Sequence, residues 1–295
     1  MCMNPKCPVC ESDSWKIGFS KCDRRRYKCK SCGKKFNERA GTPFHWLYKP
    51  EEEVITATVM YVKYPLSSYQ ASEILGFFGM DISPSAIRDW PQRFGSHLKK
   101  IAKNYEIKFS KVWHVDEKFT PHKRESSPKK KRGKRKWAYQ ITVLDSKGDV
   151  VASYLSPERS TKAIEKALRR AKDEAGFSPD IIARDDFPAY DKAVKVLGRR
   201  TKDVHTHFEE KLILHDDGVI PVSNNRIERY HSEIAPKIRS MRGVKSLKSG
   251  DQFFQIYKRF RNLFKKDRLK EILERFKLKL TWSGLVKMFY LTRDL

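Results

Sequence analysis

The sequence predicts an α/β fold with a mixed sheet, preceded by two small modules. Three observations predict it. All six cysteines fall within the first 32 residues, so a small local structure is expected there. Helical apolar periodicity then dominates residues 51–90. From residue 112 onward, short apolar strands alternate with amphipathic helices, a pattern typical of a sheet covered by helices.

The N-terminal module is predicted to be a zinc ribbon over residues 1–42. Two tight C-x2-C turns separated by 18 residues can present four thiolates tetrahedrally to one structural Zn2+. The ion would supply folding energy that so short a segment cannot obtain by burial. The alternative to a zinc site is a pair of disulfides, which a reducing cytoplasm disfavours. Within the zinc site, Cys22 could replace one of the four cysteines as a ligand. The predicted zinc ligands are Cys7, Cys10, Cys29 and Cys32.

The second module, residues 43–105, is predicted to be helical and to contain a helix-turn-helix. Ser67 or Ser68 can cap one helix, and Ser83 followed by Pro84 begins the next. The second helix would present polar side chains to a major groove while its apolar side packs inward. A plain helical hairpin fits the apolar pattern almost as well. The groove-facing side chains are predicted to be Ser85 and Arg88, with Gln92 a further candidate.

The third module, residues 106–250, is predicted to hold the sheet. Residues 251–295 are predicted to form a helical extension with a dense apolar stripe that closes the core, and contact with a second subunit is the alternative. Three strands, a helix, a fourth strand and further helices form the outline of an RNase H-like fold with a mixed five-stranded sheet. Such connections place the first and fourth strands side by side. The predicted strands are Val112–Val115, Trp137–Leu144, Val150–Leu155 and Ile181–Arg184, and the predicted helices are residues 160–175, residues 188–197 and the NNRIE segment.

Three acidic residues stand where a two-metal nuclease core requires them. Asp116 closes the first strand, Asp185 closes the fourth, and Glu228 lies on the NNRIE helix. Carboxylates so arranged can hold two divalent ions about 3.5–4 Å apart, which clamp the attacking and leaving oxygens of a phosphoryl transfer. Hard oxygen ligands favour Mg2+ or Mn2+. Glu117 and Asp186 are competing neighbours, and on an extended strand they would point to the opposite face.

Four segments together resemble the DDE transposases of insertion sequences, and in particular the insertion sequence six family. They are the HVDE strand, the KWAYQITVLDSKGDVVASYLS hairpin, the RDDFPAY element and NNRIERYH. The resemblance covers roughly residues 66–250 and implies that Asp116, Asp185 and Glu228 are the catalytic triad. It favours Asp185 over Asp186 because Asp185 lies five residues before Tyr190. It further implies binding of terminal inverted repeats, metal-dependent strand cleavage and strand transfer, and a homodimer or larger assembly on DNA.

The chain departs from this family pattern in two places. Many such transposases carry a Lys or Arg two turns after the Glu, where this chain has Ala235. Lys237 or Arg239 could take over that DNA contact, although Pro236 is expected to end or kink the helix. The interval from Asp185 to Glu228 is also long, with the extra residues expected in 205–222. His231 shares a helix face with Glu228, and could orient it, contact the scissile phosphate or serve only as a surface residue.

The net charge of +27 and the pI near 9.8 indicate a polyanionic partner, which we take to be double-stranded DNA. No apolar run approaches the ~18 residues of a membrane span, and no signal peptide is visible, so we expect a cytoplasmic, nucleoid-associated protein of a bacterial or archaeal cell. The alternative to DNA contact by these basic segments is that they form a solvated surface without a partner. The predicted DNA contacts are Arg24, Arg25, Arg26, Ser85, Arg88, Lys130, Lys131, Arg132, Lys134, Arg135, Lys136, His231, Lys237 and Arg239.

Two other functions fit parts of the sequence. A non-catalytic DNA-binding regulator would use the same ribbon and helix-turn-helix with a retired core. An RNase H-like nuclease would cut without joining. All three acids of the proposed triad are present, which favours the transposase over a regulator with a retired core.

Overall fold

The N-terminal ribbon is a three-stranded antiparallel sheet in the computed structural model, which describes residues 4–20, 24–105, 107–122, 136–206, 210–215 and 218–292. Its strands are β1 (Ser14–Phe19), β2 (Arg25–Cys29) and β3 (Lys35–Asn37). Tyr27 and Phe36 stack with their ring centroids 5.8 Å apart and form the small core with two of the cysteines. So small a core cannot stabilise the ribbon alone, which is consistent with a stabilising metal.

Three helices follow: α1 (Glu51–Lys63), α2 (Ser68–Phe77) and α3 (Pro84–Tyr105). Ser67 caps α2 through a capping box with Gln70, and the Ser83 hydroxyl accepts a hydrogen bond from the amide of Ala86 at 3.3 Å. Ile87 and Trp90 are buried, whereas the predicted groove-facing side chains Ser85, Arg88 and Gln92 are exposed. The helices and their capping therefore match the predicted outline.

The central sheet has five strands in the order β6-β5-β4-β7-β8. They are β4 (Val112–His122), β5 (Lys136–Asp145), β6 (Val150–Ser156), β7 (Ile181–Arg184) and β8 (Lys202–His205). The first three are antiparallel neighbours, and β4, β7 and β8 run parallel. This mixed sheet confirms the RNase H-like fold, and β4 and β7 are adjacent as predicted.

The first strand is longer than the sequence predicted. It was expected to end at Val115, but β4 continues to His122 because it pairs with β5 along its whole length, from Trp113 opposite Asp145 to His122 opposite Lys136. Asp116 therefore lies within the strand and not at its end.

Helices cover both faces of the sheet. On one face, α4 (Thr161–Ala175), α5 (Ala189–Ala193) and the 3-10 turn Val194–Leu197 bury one apolar cluster. On the other, α6 (Asn225–Ser240) contacts β4, and α7 (Leu247–Leu263) contacts β6. Pro236 was predicted to end or kink the helix. It does not end the helix, because α6 continues through it to Ser240, and a kink stays a prediction.

The long interval between Asp185 and Glu228 contains a two-stranded hairpin that the sequence analysis did not identify. Its strands are β9 (Lys211–His215) and β10 (Gly218–Val222). Ile220 and Val222 pack beside Val112 and Ala183 of the central sheet. Together with β8, which leads into it, this hairpin accounts for most of the additional length.

The C-terminal helices α7, α8 (Lys266–Arg275) and α9 (Trp282–Leu291) share one apolar core with α1 and α3. Phe44, Phe94 and Phe289 meet at its centre, with ring centroids 5.0–6.0 Å apart. The apolar stripe of α7 thus closes the core, as expected. Among the described helices, none is long and apolar enough to cross a membrane.

Candidate active site

The four predicted zinc ligands converge at one end of the ribbon. The sulfur of Cys7 lies 3.6 Å from that of Cys32, and the sulfur of Cys10 lies 3.4 Å from that of Cys29. A tetrahedral ZnS4 site has sulfur atoms about 3.8 Å apart, so the cluster is compatible with zinc. All four cysteines are free thiols in the structure, and this arrangement favours a zinc site over two disulfides. The alternative ligand Cys22 lies outside the described residues.

Asp116 and Asp185 lie on neighbouring parallel strands at equivalent positions. The last paired residues of β4 and β7 are His114 and Ala183, and each acid follows two residues later. Val112 and Ala183 pack on the side of the sheet opposite the α4 and α5 helices, and alternation places Asp116 on that same side. The two carboxylates therefore stand at the same level of the sheet.

The competing acid Glu117 faces the other way. Its carboxylate is buried among the α4 and α5 side chains, where it accepts hydrogen bonds from the Tyr190 hydroxyl and the Arg159 guanidinium. Burial raises the pKa of Glu117, although both hydrogen bonds oppose that effect. Burial and then the Glu117 charge raise the pKa of Tyr190 far above its usual range, so this phenol stays protonated. Glu117 is thus a structural acid away from the Asp116 side.

The third acid is carried by α6, which packs against β4. Glu228 is exposed, and His231 lies one turn later on the same helix face. The Nδ1 atom of His231 lies 3.5 Å from Oδ2 of Asp116, and its side chain is only 9% exposed. The turn of α6 that follows Glu228 therefore contacts Asp116 through His231.

The three acids do not form a closed ligand cluster. Within the described residues, the four cysteines are the one set of His, Cys, Asp or Glu ligand atoms that all lie within 4.8 Å of one another. Asp116 accepts a hydrogen bond from the Glu117 amide at 2.8 Å, and Asp185 accepts one from the Phe187 amide at 3.1 Å. Hard carboxylate oxygens are the ligands that a divalent ion such as Mg2+ prefers.

Lys237 does not fit the DNA-binding role predicted for it. Lys237 is 1% exposed, its ammonium donates to the carbonyl of Leu66 at 2.7 Å, and it lies 3.6 Å from the centroid of the Tyr61 ring. Burial lowers the pKa of Lys237 to about 7. The residue joins α6 to the α1–α2 region and is removed from solvent, so it cannot reach a phosphate without unfolding its surroundings.

The other predicted DNA contacts differ in accessibility. Arg26 and Arg239 are exposed, whereas Arg24 forms an ion pair with Glu51 at 3.0 Å that ties the ribbon to α1. Arg25 lies partly buried with its guanidinium 3.9 Å from the Phe19 ring centroid. Six further predicted DNA contacts lie in a basic segment that falls outside what the structure describes, apart from the backbone of Lys136 in β5. They are Lys130, Lys131, Arg132, Lys134, Arg135 and Lys136.

Two residues near the acids were not predicted from the sequence. Lys118 lies two positions after Asp116 on the same face of β4; burial, and then the Arg239 charge, lower its pKa. Arg159, just before α4, lies 3.6 Å from Asp185. Alternation along the strand could have identified Lys118. Arg159 is 26 residues from Asp185 in sequence, and no local pattern connects the two.

Comparison with known proteins gives the same assignment for the central part of the chain. A family model described as a DDE domain of IS240-type transposases matches residues 110–267. The transposase for insertion sequence-like element IS431mec of Staphylococcus aureus is 25% identical over 218 residues, covering 71% of this chain and 87% of that protein. The transposase for insertion sequence element IS257 in transposon Tn4003, also from Staphylococcus aureus, gives the same values.

Solved structures of Mos1 transposase are distant neighbours. The paired-end complex with the left transposon end has a TM-score of 0.31 and 12% identity, covering 77% of this chain and 78% of that chain. The strand transfer complex has the same TM-score and 13% identity, covering 83% and 76%. The assignment therefore depends on the DDE domain match, which includes more than half of the residues, and this chain belongs to the family of IS240-type DDE transposases.

Proposed function

We propose that Asp116, Asp185 and Glu228 are the catalytic triad of this transposase, and that they hold two Mg2+ or Mn2+ ions. The chain is a DDE transposase, an enzyme of the polynucleotidyl-transferase class that acts on DNA and depends on divalent metal ions. The single observation that best supports the triad is the equivalent position of Asp116 and Asp185 on adjacent strands, with α6 packed against β4.

The chain's own residues would divide the work as follows. The carboxylates of Asp116 and Asp185 bind metal from the sheet, and Glu228 closes the site from α6. His231 holds Asp116 from the inner side of the helix, since its ring is buried while Glu228 is exposed. Bound divalent ions supply charge stabilisation on the scissile phosphate and favour deprotonation of the attacking hydroxyl.

The proposed substrate is the pair of DNA ends of the insertion sequence that encodes the protein. Water first attacks the phosphodiester at the element end and releases a 3′ hydroxyl. That hydroxyl then attacks a target phosphodiester, so one P–O bond forms as another breaks and no outside energy source is needed. The ribbon, α2 and α3 would bind the terminal inverted repeats, with one structural Zn2+ in the ribbon. A dimer or larger assembly would hold two ends, in the nucleoid where its substrate lies.

The direct test uses a DNA duplex carrying the inverted repeats that flank the gene. We expect D116N, D185N and E228Q to abolish cleavage and strand transfer with Mg2+ or Mn2+ while the duplex is still bound in a gel-shift assay. D186N is the matched control, because it changes the acid next to Asp185, and it should retain activity. Metal-dependent cleavage that persists in D116N or D185N would disprove the triad.

The same assay separates the alternative functions. A regulator would bind the duplex and leave it uncut at every metal concentration. A nuclease would release a 3′ hydroxyl end and never join it to a second duplex, whereas a transposase gives a covalent strand-transfer product.

A further inference from the structure

The buried acid Glu117 has a partner that reaches the opposite side of the sheet. Glu117 is 6% exposed, and the Nε atom of Arg159 donates to its carboxylate. A carboxylate so buried requires a paired and hydrogen-bonded cation, because an isolated charge away from water is strongly unfavourable. Arg159 supplies that cation and is fixed by it, since releasing Arg159 would leave the charge of Glu117 unpaired.

Arg159 is held on a second side by an aromatic ring. The guanidinium carbon of Arg159 lies 3.6 Å from the centroid of the Phe187 ring, and stacking on a ring face fixes the plane of the guanidinium. Phe187 in turn donates its amide to Oδ1 of Asp185 at 3.1 Å. One side of Arg159 is therefore anchored in the core, and the other is aimed at the loop that follows β7.

The free end of the guanidinium meets the proposed metal ligand. The Nη2 atom of Arg159 lies 3.6 Å from Oδ2 of Asp185, and both side chains are about one-third exposed. An arginine fork is the side chain that can contact two carboxylates in one plane, whereas lysine is a single point charge. Glu117, Arg159 and Asp185 thus form a chain of charges from the core to the site.

We propose that Arg159 is a positioning residue for Asp185, held in place by Glu117, so that the carboxylate is oriented before metal binds. This inference rests on the proposed function, in which Asp185 is a metal ligand. Carboxylate ligands are commonly oriented by hydrogen-bonding partners outside the metal, and losing such a partner typically costs about 10–100-fold in metal affinity or activity. It also gives a role to Glu117, the acid that the sequence offered as a rival to Asp116.

The test measures Mn2+ binding to the full-length, zinc-loaded protein by titration calorimetry without DNA, so that the readout is independent of catalysis. We expect R159A to weaken Mn2+ binding about 10-fold or more. R170A is the matched control, because Arg170 also pairs with an acid, Asp251 at 2.9 Å, and lies near the Tyr154 ring, yet does not contact Asp185. Wild-type Mn2+ affinity in folded R159A would overturn the proposal.

Two further variants keep the test decisive if R159A does not fold. E117Q preserves the shape of the buried side chain and its hydrogen bond with Tyr190 but removes the charge that fixes Arg159. R159K preserves the positive charge but cannot contact both acids. We expect each to fold, as judged by a cooperative thermal transition, and to bind Mn2+ several-fold more weakly. Unchanged Mn2+ affinity in both would reject the proposed role of Arg159.

D185N distinguishes failure of this inference from failure of the proposed function. If D185N binds Mn2+ as well as the wild type, then Asp185 is not a ligand and the proposed triad fails. If D185N loses Mn2+ while R159A, R159K and E117Q retain it, the triad stands and only the role of Arg159 is rejected.

Discussion

The imidazole of His231 lies 3.5 Å from the carboxylate of Asp116, across the boundary between α6 and β4. From the sequence, the same histidine had three candidate roles, one of which was to orient Glu228. In the structure, the Nδ1 atom of His231 faces Asp116 on the sheet. His231 therefore links the helix that carries the third acid to the strand that carries the first.

This contact predicts a graded effect of replacing His231. H231A removes the imidazole that lies 3.5 Å from Asp116 and should lower cleavage about 10-fold or more, as is usual when a ligand loses its orienting partner. H231N can place an amide donor close to the position of Nδ1 and should retain more activity than H231A. Initial cleavage rates at saturating Mn2+ provide the measurement. Equal rates for H231A and the wild type would show that the contact has no role in the reaction.

The cysteine cluster predicts one tightly held zinc ion per chain. C29S should abolish zinc binding and unfold the ribbon, because its apolar core is too small to hold it together without the metal. Zinc content by mass spectrometry and inverted-repeat binding by gel shift would both decrease. C22S is the matched control and should keep its zinc. Zinc loss in C22S together with full zinc in C7S, C10S, C29S or C32S would mean that Cys22 replaces that cysteine as a ligand.

Buried Lys237 predicts a pH-dependent stability. Its pKa is lowered by burial to about 7, whereas a lysine in an unfolded chain titrates near 10.4. Between these values the unfolded chain holds a proton that the folded chain lacks, so the free energy of unfolding rises with pH, by at most about 1.4 kcal/mol per unit. Below the folded pKa both states are protonated, and the cost of the buried charge is present in full.

K237M removes this titration. It should raise the free energy of unfolding at pH 6 by about 1–3 kcal/mol and flatten its rise between pH 7 and 10. Urea unfolding at several pH values provides the measurement, with K245M, which changes an exposed lysine nearby, as control. Parallel pH profiles for K237M and the wild type would contradict the prediction.

Gly243 predicts a steric constraint where the chain leaves α6. Its φ is +85°, and a Cβ there would overlap the carbonyl oxygen of Pro121, which accepts a hydrogen bond from the Val244 amide at 2.9 Å. G243A should therefore destabilise the protein by about 2–4 kcal/mol. G148A is the control, because Gly148 has φ +75° but open space around it, and its cost should be nearer 1 kcal/mol. Equal costs, measured by urea unfolding, would exclude the clash.

The sequence predicted the parts of this fold that have local patterns. Strand β7 was predicted at its observed bounds, and the neighbouring position of β4 and β7 followed from the connection rules for mixed sheets. The choice of Asp116 over Glu117 came from the family resemblance, and strand alternation gives the physical reason, since Glu117 faces the opposite side. The assignment of the triad and the four domain limits stay predictions.

What the sequence did not reveal depends on contacts distant along the chain. β8 is only four residues long and mostly exposed, so it lacks an apolar signature, and its place is determined by pairing with β7. Lys237 resembles a surface lysine until Tyr61 and Leu66 are placed around it. The contact between Arg159 and Asp185 requires two separate loops to meet. Each of these features is a property of the assembled core.

The shared core of the first and last helices has a consequence for biosynthesis. Tyr290 of α9 donates a hydrogen bond to Glu51 of α1 at 2.9 Å, and Lys63 at the end of α1 donates to the carbonyl of Phe264 at 2.9 Å. During synthesis on the ribosome, α1 cannot form these contacts until residues more than 200 positions later in the chain have been made. The N-terminal helices therefore complete their packing only after the C-terminal helices are made, and a truncated translation product would leave their apolar side exposed to aggregation or proteolysis.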